Sequence, residues 1–271
     1  MSDTHTLAFR LHHNSNIKIA VVGAGGNGSA VLLALPYLHQ ALLAWSNNQI
    51  GLDVTLIDGD TVSETNCVRQ PFTRNEIGLN KATALVSRVN LFWGLDWEAY
   101  PVFLSKKNIT LLERMNFVIG CVDTKAGRNL IHHGLAKGED AFADYWLDLG
   151  NRAHSGQFVL GQPRTKAGEK HLPTVAELYP ESVDTTTPED DLPSCSAEEA
   201  LQRQEPFINQ TLAMHALAML TQLLRYNEIS YHGGFVNAKS GIVQPIPVPA
   251  SDCKPRLHSI APMVELEDTL A

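Results

Sequence analysis

At 271 residues the chain has room for one large α/β domain or two small ones, and 44% hydrophobic with 18% charged residues, 19 Gly and 14 Pro exclude disorder, collagen and coiled coil. The 21 Lys and Arg against 29 Asp and Glu give a net charge of −8, which argues against a global attraction to nucleic acid or an anionic membrane and leaves room for a local basic pocket. Cys67, Cys121, Cys195 and Cys253 form no C-x-x-C pair, a pattern that suits a reducing cytosol. Met1–Arg10 lacks a secretory pattern, and the apolar stretch Val31–Trp45 is short and interrupted by Pro36, His39 and Gln40, so the expectation is a cytoplasmic protein.

Ile17–Val22 is a β-branched run that ends at a glycine, as a buried parallel strand does. Ser29–Asn48 follows as an apolar helix that Pro36 should kink, and its two-sided apolarity points to burial against the sheet and a second surface. Val54–Ile57 is the next strand, closed by Asp58-Gly-Asp60, and the three elements make a right-handed βαβ unit. A polar stretch leads to a helix at Lys81–Trp93, a strand near Glu98–Phe103 and a short helix around Leu111. The strand Phe117–Ile119 runs into Gly-Cys-Val-Asp123, and a helix at Lys125–Leu135 connects it to a strand at Tyr145–Leu149. This alternation predicts an α/β fold, a Rossmann-like, doubly wound, mostly parallel sheet.

Residues 1–161 then form a nucleotide-binding half, and 162–205, rich in Pro, Thr and acidic side chains, read as a long mobile crossover-type loop. Within 206–250, Ile208, Leu212, Ala216, Met219 and Leu223 recur at helical spacing, and Phe235–Val248 reads as a hairpin turning at Lys239-Ser-Gly241; both should cover the sheet. Residues 251–271 read as a loosely held tail.

Gly23, Gly25, Gly26 and Gly28 stand between strand and helix in the G-x-G-x-x-G pattern. There the bare backbone admits a phosphate to the N–H groups opening the helix, although a turn needed only for tight packing would use the same glycines. Asp58, at the end of the second strand, can accept from both ribose hydroxyls. Its distance from the glycines exceeds that of a dehydrogenase and disfavours nicotinamide; capping of the next turn by Asp58 and Asp60 is the alternative. Asn66-Cys-Val-Arg69-Gln70, followed by Lys81 at a helix start, puts a fork and a point charge where a triphosphate with about four negative charges needs them. A solvated surface pair is the plainer reading. Asp123 offers a hard oxygen to Mg²⁺ or an N-cap to the next helix. His12-His13 and His132-His133 are neighbours that share no helix face, and they are read as structural.

Gly23-x-Gly25-Gly26-x-Gly28, Asp58-x-Asp60, Asn66-x-x-Arg69-Gln70, Lys81 and Asp123-x-x-x-x-Arg128-Asn129, with Asp148-x-Gly150 and Gly156-Gln157 beyond, resemble the ThiF, MoeB and ubiquitin-activating-enzyme superfamily in order and spacing over Ile17–Gln162. Pro193-Ser-Cys195-Ser and Phe207-Ile-Asn-Gln210 look like the small ThiF-like proteins of bacterial PRTRC gene clusters. The resemblance implies an adenylation core covered by a C-terminal helix and β-hairpin, ATP and Mg²⁺ as cofactors, and adenylation of the C-terminal glycine of a ubiquitin-like β-grasp protein. It further implies a homodimer and a conjugating-enzyme-like protein as an additional partner. Carried over by residue, Asp58 would hold the ribose, Asn66, Arg69 and Lys81 the phosphates, with Asp60 and Gln70 in the same set, and Asp123 the Mg²⁺. Cys195 would accept the acyl group as a thioester; a helix starting around Ala197 favours its thiolate, whereas Asp190, Asp191, Glu198 and Glu199 oppose it. The C-x-x-C pairs that bind zinc in many relatives are absent, and only Arg10 precedes the first strand where relatives carry an arginine finger. An NAD(P)- or flavin-binding oxidoreductase would explain the glycines and Asp58 and leave Asn66, Arg69, Lys81 and Asp123 without a task. A catalytically silent scaffold that retains the fold is the third reading.

Overall fold

The computed structural model describes residues 3–12, 15–137, 143–164, 171–187 and 205–250. Its strands in chain order are β1 (His5–Thr6), β2 (Ile17–Val22), β3 (Leu52–Ile57), β4 (Glu98–Tyr100), β5 (Phe117–Gly120), β6 (Tyr145–Asn151), β7 (Ser155–Gly161), β8 (Glu228–Ile229), β9 (Tyr231–Asn237) and β10 (Ile242–Pro247). The α-helices are α1 (Gly26–Trp45), α2 (Asn66–Arg69), α3 (Lys81–Trp93), α4 (Lys125–Lys137), α5 (Val175–Leu178) and α6 (Ile208–Tyr226). Cys195, the helix expected near Ala197, and the tail lie outside the described residues.

Eight strands form one sheet in the order β10-β9-β7-β6-β5-β2-β3-β4. From β6 to β4 all neighbours are parallel; β7, β9 and β10 add antiparallel. The chain leaves β2 towards β3 and β4 and comes back on the other side of β2 as β5. The carboxyl ends of β2 and β5 therefore flank the switch point of a doubly wound sheet, where the connections diverge and leave a crevice. The hairpin β9–β10 prolongs the sheet and does not lie over it. Pro245 and Pro247 on β10 lack the N–H that a further strand would need, so the sheet stops there.

Both faces of the parallel part are buried, and the two-residue period sorts its side chains into two cores. Ile17, Ile19, Val21, Leu52, Val54, Leu56, Phe117 and Ile119 enter the larger core, with α1, α3 and α6. Ala20, Val22, Ile57, Val118 and Trp146 enter the smaller one, with Ile131 and Leu135 of α4 and Val175 of α5. Helix α1 is long and apolar enough, by length and composition, to cross a membrane, but more than half of it is buried here beneath α6 and the sheet. It runs unbroken from Gly26 to Trp45 with Pro36 inside. The strand β7 had no sequence signature: Gly156 and Gly161 dilute its apolar run, and its pairing to β6 comes from the turn between them.

The amino terminus is anchored through a polar contact that sequence does not suggest. His5 is 5% exposed on β1, which pairs with β8, and its Nε2 lies 2.8 Å from Tyr145 Oη. That oxygen also accepts the Ala8 N–H at 2.7 Å. Buried His232 donates Nδ1–H to Leu160 O at 2.7 Å. Burial, then the proximity of His232, lowers the pKa of His5 from 6.5 to about 4, and burial lowers that of His232. Both groups are neutral when folded and take up protons on unfolding, so stability should fall as pH drops from 6.5 towards 4. His5 alone accounts for roughly 3 kcal/mol of that loss. Urea unfolding between pH 7 and 4 should show this acid slope, and His5→Gln should flatten it by about that amount.

Candidate active site

The crevice is built from the carboxyl ends of β2, β3 and β5. Gly23 ends β2 with φ +96°, and a Cβ on it would stand 2.8 Å from Cys121 O at the end of β5. Gly28 is tighter still, because its Cβ would overlap the Gly23 carbonyl oxygen. The chain can turn this sharply from β2 into α1 only with bare backbone at both positions. Gly25 is the residue before α1, and among the described residues no side chain caps the helix and nothing lies within 4 Å of where a Cβ on Gly25 would be. A 20-residue helix thus opens beside this space, and the N–H groups of a helix start attract an anion.

Asp58 fixes this loop to the end of β3. One carboxylate oxygen accepts the Ala24 N–H and the other the Asp60 N–H at 2.7 Å. Capping and ribose binding are therefore compatible readings: each oxygen keeps a lone pair for a hydroxyl. Burial raises the pKa of Asp58, opposed by those two N–H bonds and by Lys81. Asp60 pairs instead with Lys81, whose Nζ stands 3.1 Å from Oδ2 while its stem is buried. Asn80 locks the assembly. Its Nδ2 donates to Asp58 O and Asp60 O at 2.8 and 3.0 Å, and its Oδ1 caps α3 by accepting the Thr83 N–H. The exposed ring of Phe103 covers Gly59 between the two aspartates.

Arg69 ends α2 and is half-buried; burial lowers its pKa and the charge of Asp123 opposes that, so the two charges lie near enough to act on each other. Asn66 is buried and closes its own turn by accepting the Ser63 N–H at 3.0 Å. Gln70 is buried with its Oε1 unpartnered among the described residues. Asp123 is exposed just past β5. The cap of α4 is Thr124, which accepts the Gly127 N–H at 3.1 Å, and the N-cap reading of Asp123 is corrected accordingly. No group of three or more His, Cys, Asp or Glu suited to a metal occurs among the described residues. A single outward carboxylate nevertheless fits Mg²⁺ that takes its other oxygens from phosphates and water.

Other residues of the sequence pattern hold the scaffold. Arg128 Nε bonds both oxygens of fully buried Asp148 at 3.2 Å. Asn129 donates to Val183 O at 2.8 Å and Lys125 to Thr187 Oγ1 at 2.6 Å, tying residues 171–187 to α4. Cys121 is buried, and burial with nearby Asp148 pushes its thiol pKa up, which leaves it inert. Behind the glycine loop lie Asn27, Asn151 and Asn209; Asn209 falls within the quoted Phe207-Ile-Asn-Gln210, but sequence reasoning gave none of the three a role. One signal was available: Asn209 sits three residues before Leu212, on the apolar stripe of its helix.

A family model described as "ThiF family" matches residues 10–254. The adenylyltransferase and sulfurtransferase UBA4 of Vanderwaltozyma polyspora is 32% identical over 119 residues, which is 43% of this chain and 25% of that protein. Among solved structures, PaaA superposes with a TM-score of 0.58 at 16% identity, covering 86% of this chain and 64% of its own. E. coli MccB with MccA-N7isoASN gives 0.56 at 14%, covering 89% and 66%. At these identities the two structures speak for the fold alone. The chain spans about a quarter of UBA4 and about two thirds of the two structures. The sheet order, the glycine loop at its switch point and a family model that covers most of the length agree, and the chain belongs to the ThiF family.

Proposed function

We propose that the chain binds ATP with Mg²⁺ in the crevice and adenylates the C-terminal carboxylate of a ubiquitin-like β-grasp protein. The observation that carries this reading is the convergence of the open α1 terminus, the Asp58-Asp60-Lys81 cluster and the Arg69–Asp123 pair on one rim of the sheet. In this pose the ribose takes the remaining lone pairs of Asp58 and adenine lies towards Phe103. The triphosphate runs along the α1 terminus between Lys81 and Arg69, with Gln70 behind. Mg²⁺ bound at Asp123 would neutralise phosphate charge.

In the reaction a carboxylate oxygen attacks the α-phosphorus. The new P–O bond forms as the bond from that phosphorus to the bridging oxygen of the β-phosphate breaks, and the electron pair departs with pyrophosphate. The carboxylate already carries the attacking lone pair, so no general base is required. What the chain must supply is fixed positive charge around the reacting phosphate, which Arg69, Lys81 and the helix N–H groups provide.

UBA4 is named an adenylyltransferase, which supports this reading. The finer proposals are a thioester on Cys195, transfer to a conjugating-enzyme-like protein, and a homodimer. The test is exchange of labelled pyrophosphate into ATP in the presence of Mg²⁺ and a ubiquitin-like β-grasp protein that ends in glycine. Exchange that requires a free C-terminal glycine is expected; binding of reduced nicotinamide without ATP binding would overturn the reading. Intact-mass analysis should then show a thiol-labile adduct that Cys195→Ala removes while exchange continues.

A further inference from the structure

The glycine loop is bracketed on two sides. Asp58 holds Ala24 from the β3 side, and on the opposite side, towards β6 and α6, stand three asparagines. The carboxamide of Asn209, in the first turn of α6, fills the space that a Cβ on Gly26 would occupy. Asn27, in the first turn of α1, donates from Nδ2 to Asn151 Oδ1 at 2.9 Å, and Asn151 in turn donates from Nδ2 to Arg152 O at 3.0 Å. A carbonyl can only accept, so Asn151 must present its oxygen to Asn27, and Asn27 must present its nitrogen to Asn151. The amide orientations are thereby determined, and Oδ1 of Asn27 is left over.

That oxygen is buried and has no partner among the described residues, and the same holds for Oδ1 of Asn209; the two side chains belong to residues only 8% and 3% exposed. Unpaired buried acceptors are costly and native proteins rarely keep them without a use. Neither suits a phosphate or carboxylate oxygen, because both would repel an acceptor. They call for an N–H donor, while the α1 terminus beside them calls for an anion. A nucleotide phosphate offers only the anion. The end of a polypeptide offers both within a few ångströms, a carboxylate and the N–H groups of its last residues.

We infer that Asn27 and Asn209 are positioning residues for the acyl substrate: they accept its last backbone N–H groups and so hold its terminal carboxylate at the α1 terminus, in line with the α-phosphate of ATP. This rests on the adenylation reading above and adds to it the element that grips the substrate's main chain. Contacts to N–H groups read backbone and not side chains, so the grip is indifferent to sequence.

The probe is the peptide N-acetyl-Ala-Ala-Gly-Gly with a free carboxylate, compared with its C-terminal amide, in the presence of ATP. ATP affinity is measured separately by calorimetry. With the wild-type protein, the side-chain amide NMR signals of Asn27 and Asn209 should shift with the acid and not with the amide. In Asn27→Leu and Asn209→Leu, affinity for the acid should fall at least tenfold, about 1.4 kcal/mol, with ATP affinity kept within twofold. In steady-state exchange the loss should appear in the KM for the acyl substrate and not in kcat. For Asn209→Leu a melting temperature that is unchanged or raised is expected, since the substitution removes an unpaired buried acceptor, whereas Asn27→Leu also gives up the bond to Asn151 and should lower it slightly. Wild-type protein that binds ATP while both asparagine signals stay still on peptide addition overturns the inference and leaves the adenylation reading intact. Failure of the wild-type protein to bind ATP overturns that reading, and the inference with it.

Discussion

Arg69→Ala should lower the rate of ATP–pyrophosphate exchange by about two to three orders of magnitude, the usual cost of removing one preorganised donor from developing charge in a water-poor site. Arg69 is half-buried at the end of the one-turn helix α2, and the charge of Asp123 acts on it. It is held by the protein before any ligand arrives, so little reorganisation is needed at the moment of reaction. Arg69→Lys should recover only part of the rate, since a point charge cannot span two phosphoryl oxygens. The loss should lie mainly in kcat, with the melting temperature close to wild type. A variant that exchanges at the wild-type rate would place the triphosphate elsewhere.

Arg128→Met should destabilise the fold by about 3–5 kcal/mol in urea unfolding at neutral pH. Asp148 is 0% exposed, and Arg128 Nε meets both of its oxygens. Burial already raises the pKa of Asp148, and the arginine is what opposes it. Without Arg128 the carboxylate is a buried uncompensated charge that only a proton can neutralise, so its pKa rises further. The sign follows: the defect should be greatest at high pH and shrink on acidification, as Asp148 becomes neutral. Asp148→Asn in the Arg128→Met background should restore much of the stability and abolish that pH dependence. The rim residues are untouched by this change, so ATP affinity of the folded fraction should remain near wild type.

The parts of the site legible in the sequence are those written locally. A β-branched run, a glycine turn and an apolar helix predict β2, the loop and α1 because each is decided by residues next to one another. Asp58 and Asp60 follow from their place at a strand end, and Lys81 from its place at a helix start. The N-cap of α4 was misplaced by one residue because Asp123 and Thr124 are both good caps, and only the bond to Gly127 separates them. Residues joined across the fold were not legible. Asn27 and Asn151 are 124 positions apart, His5 and Tyr145 are 140 apart, and no periodicity announces such a pair. Strand β7 escaped because its pattern is weak and its neighbours β6 and β9 make it a strand. Cys195 falls outside the described residues.

The most direct measurement is a crystal structure of the protein with a non-hydrolysable ATP analogue and Mg²⁺. The prediction is a ribose on Asp58, phosphate oxygens within hydrogen-bond distance of both Arg69 and Lys81, and the metal at Asp123. A triphosphate directed away from both cations, or a nucleotide bound elsewhere than at the switch point between β2 and β5, would contradict it.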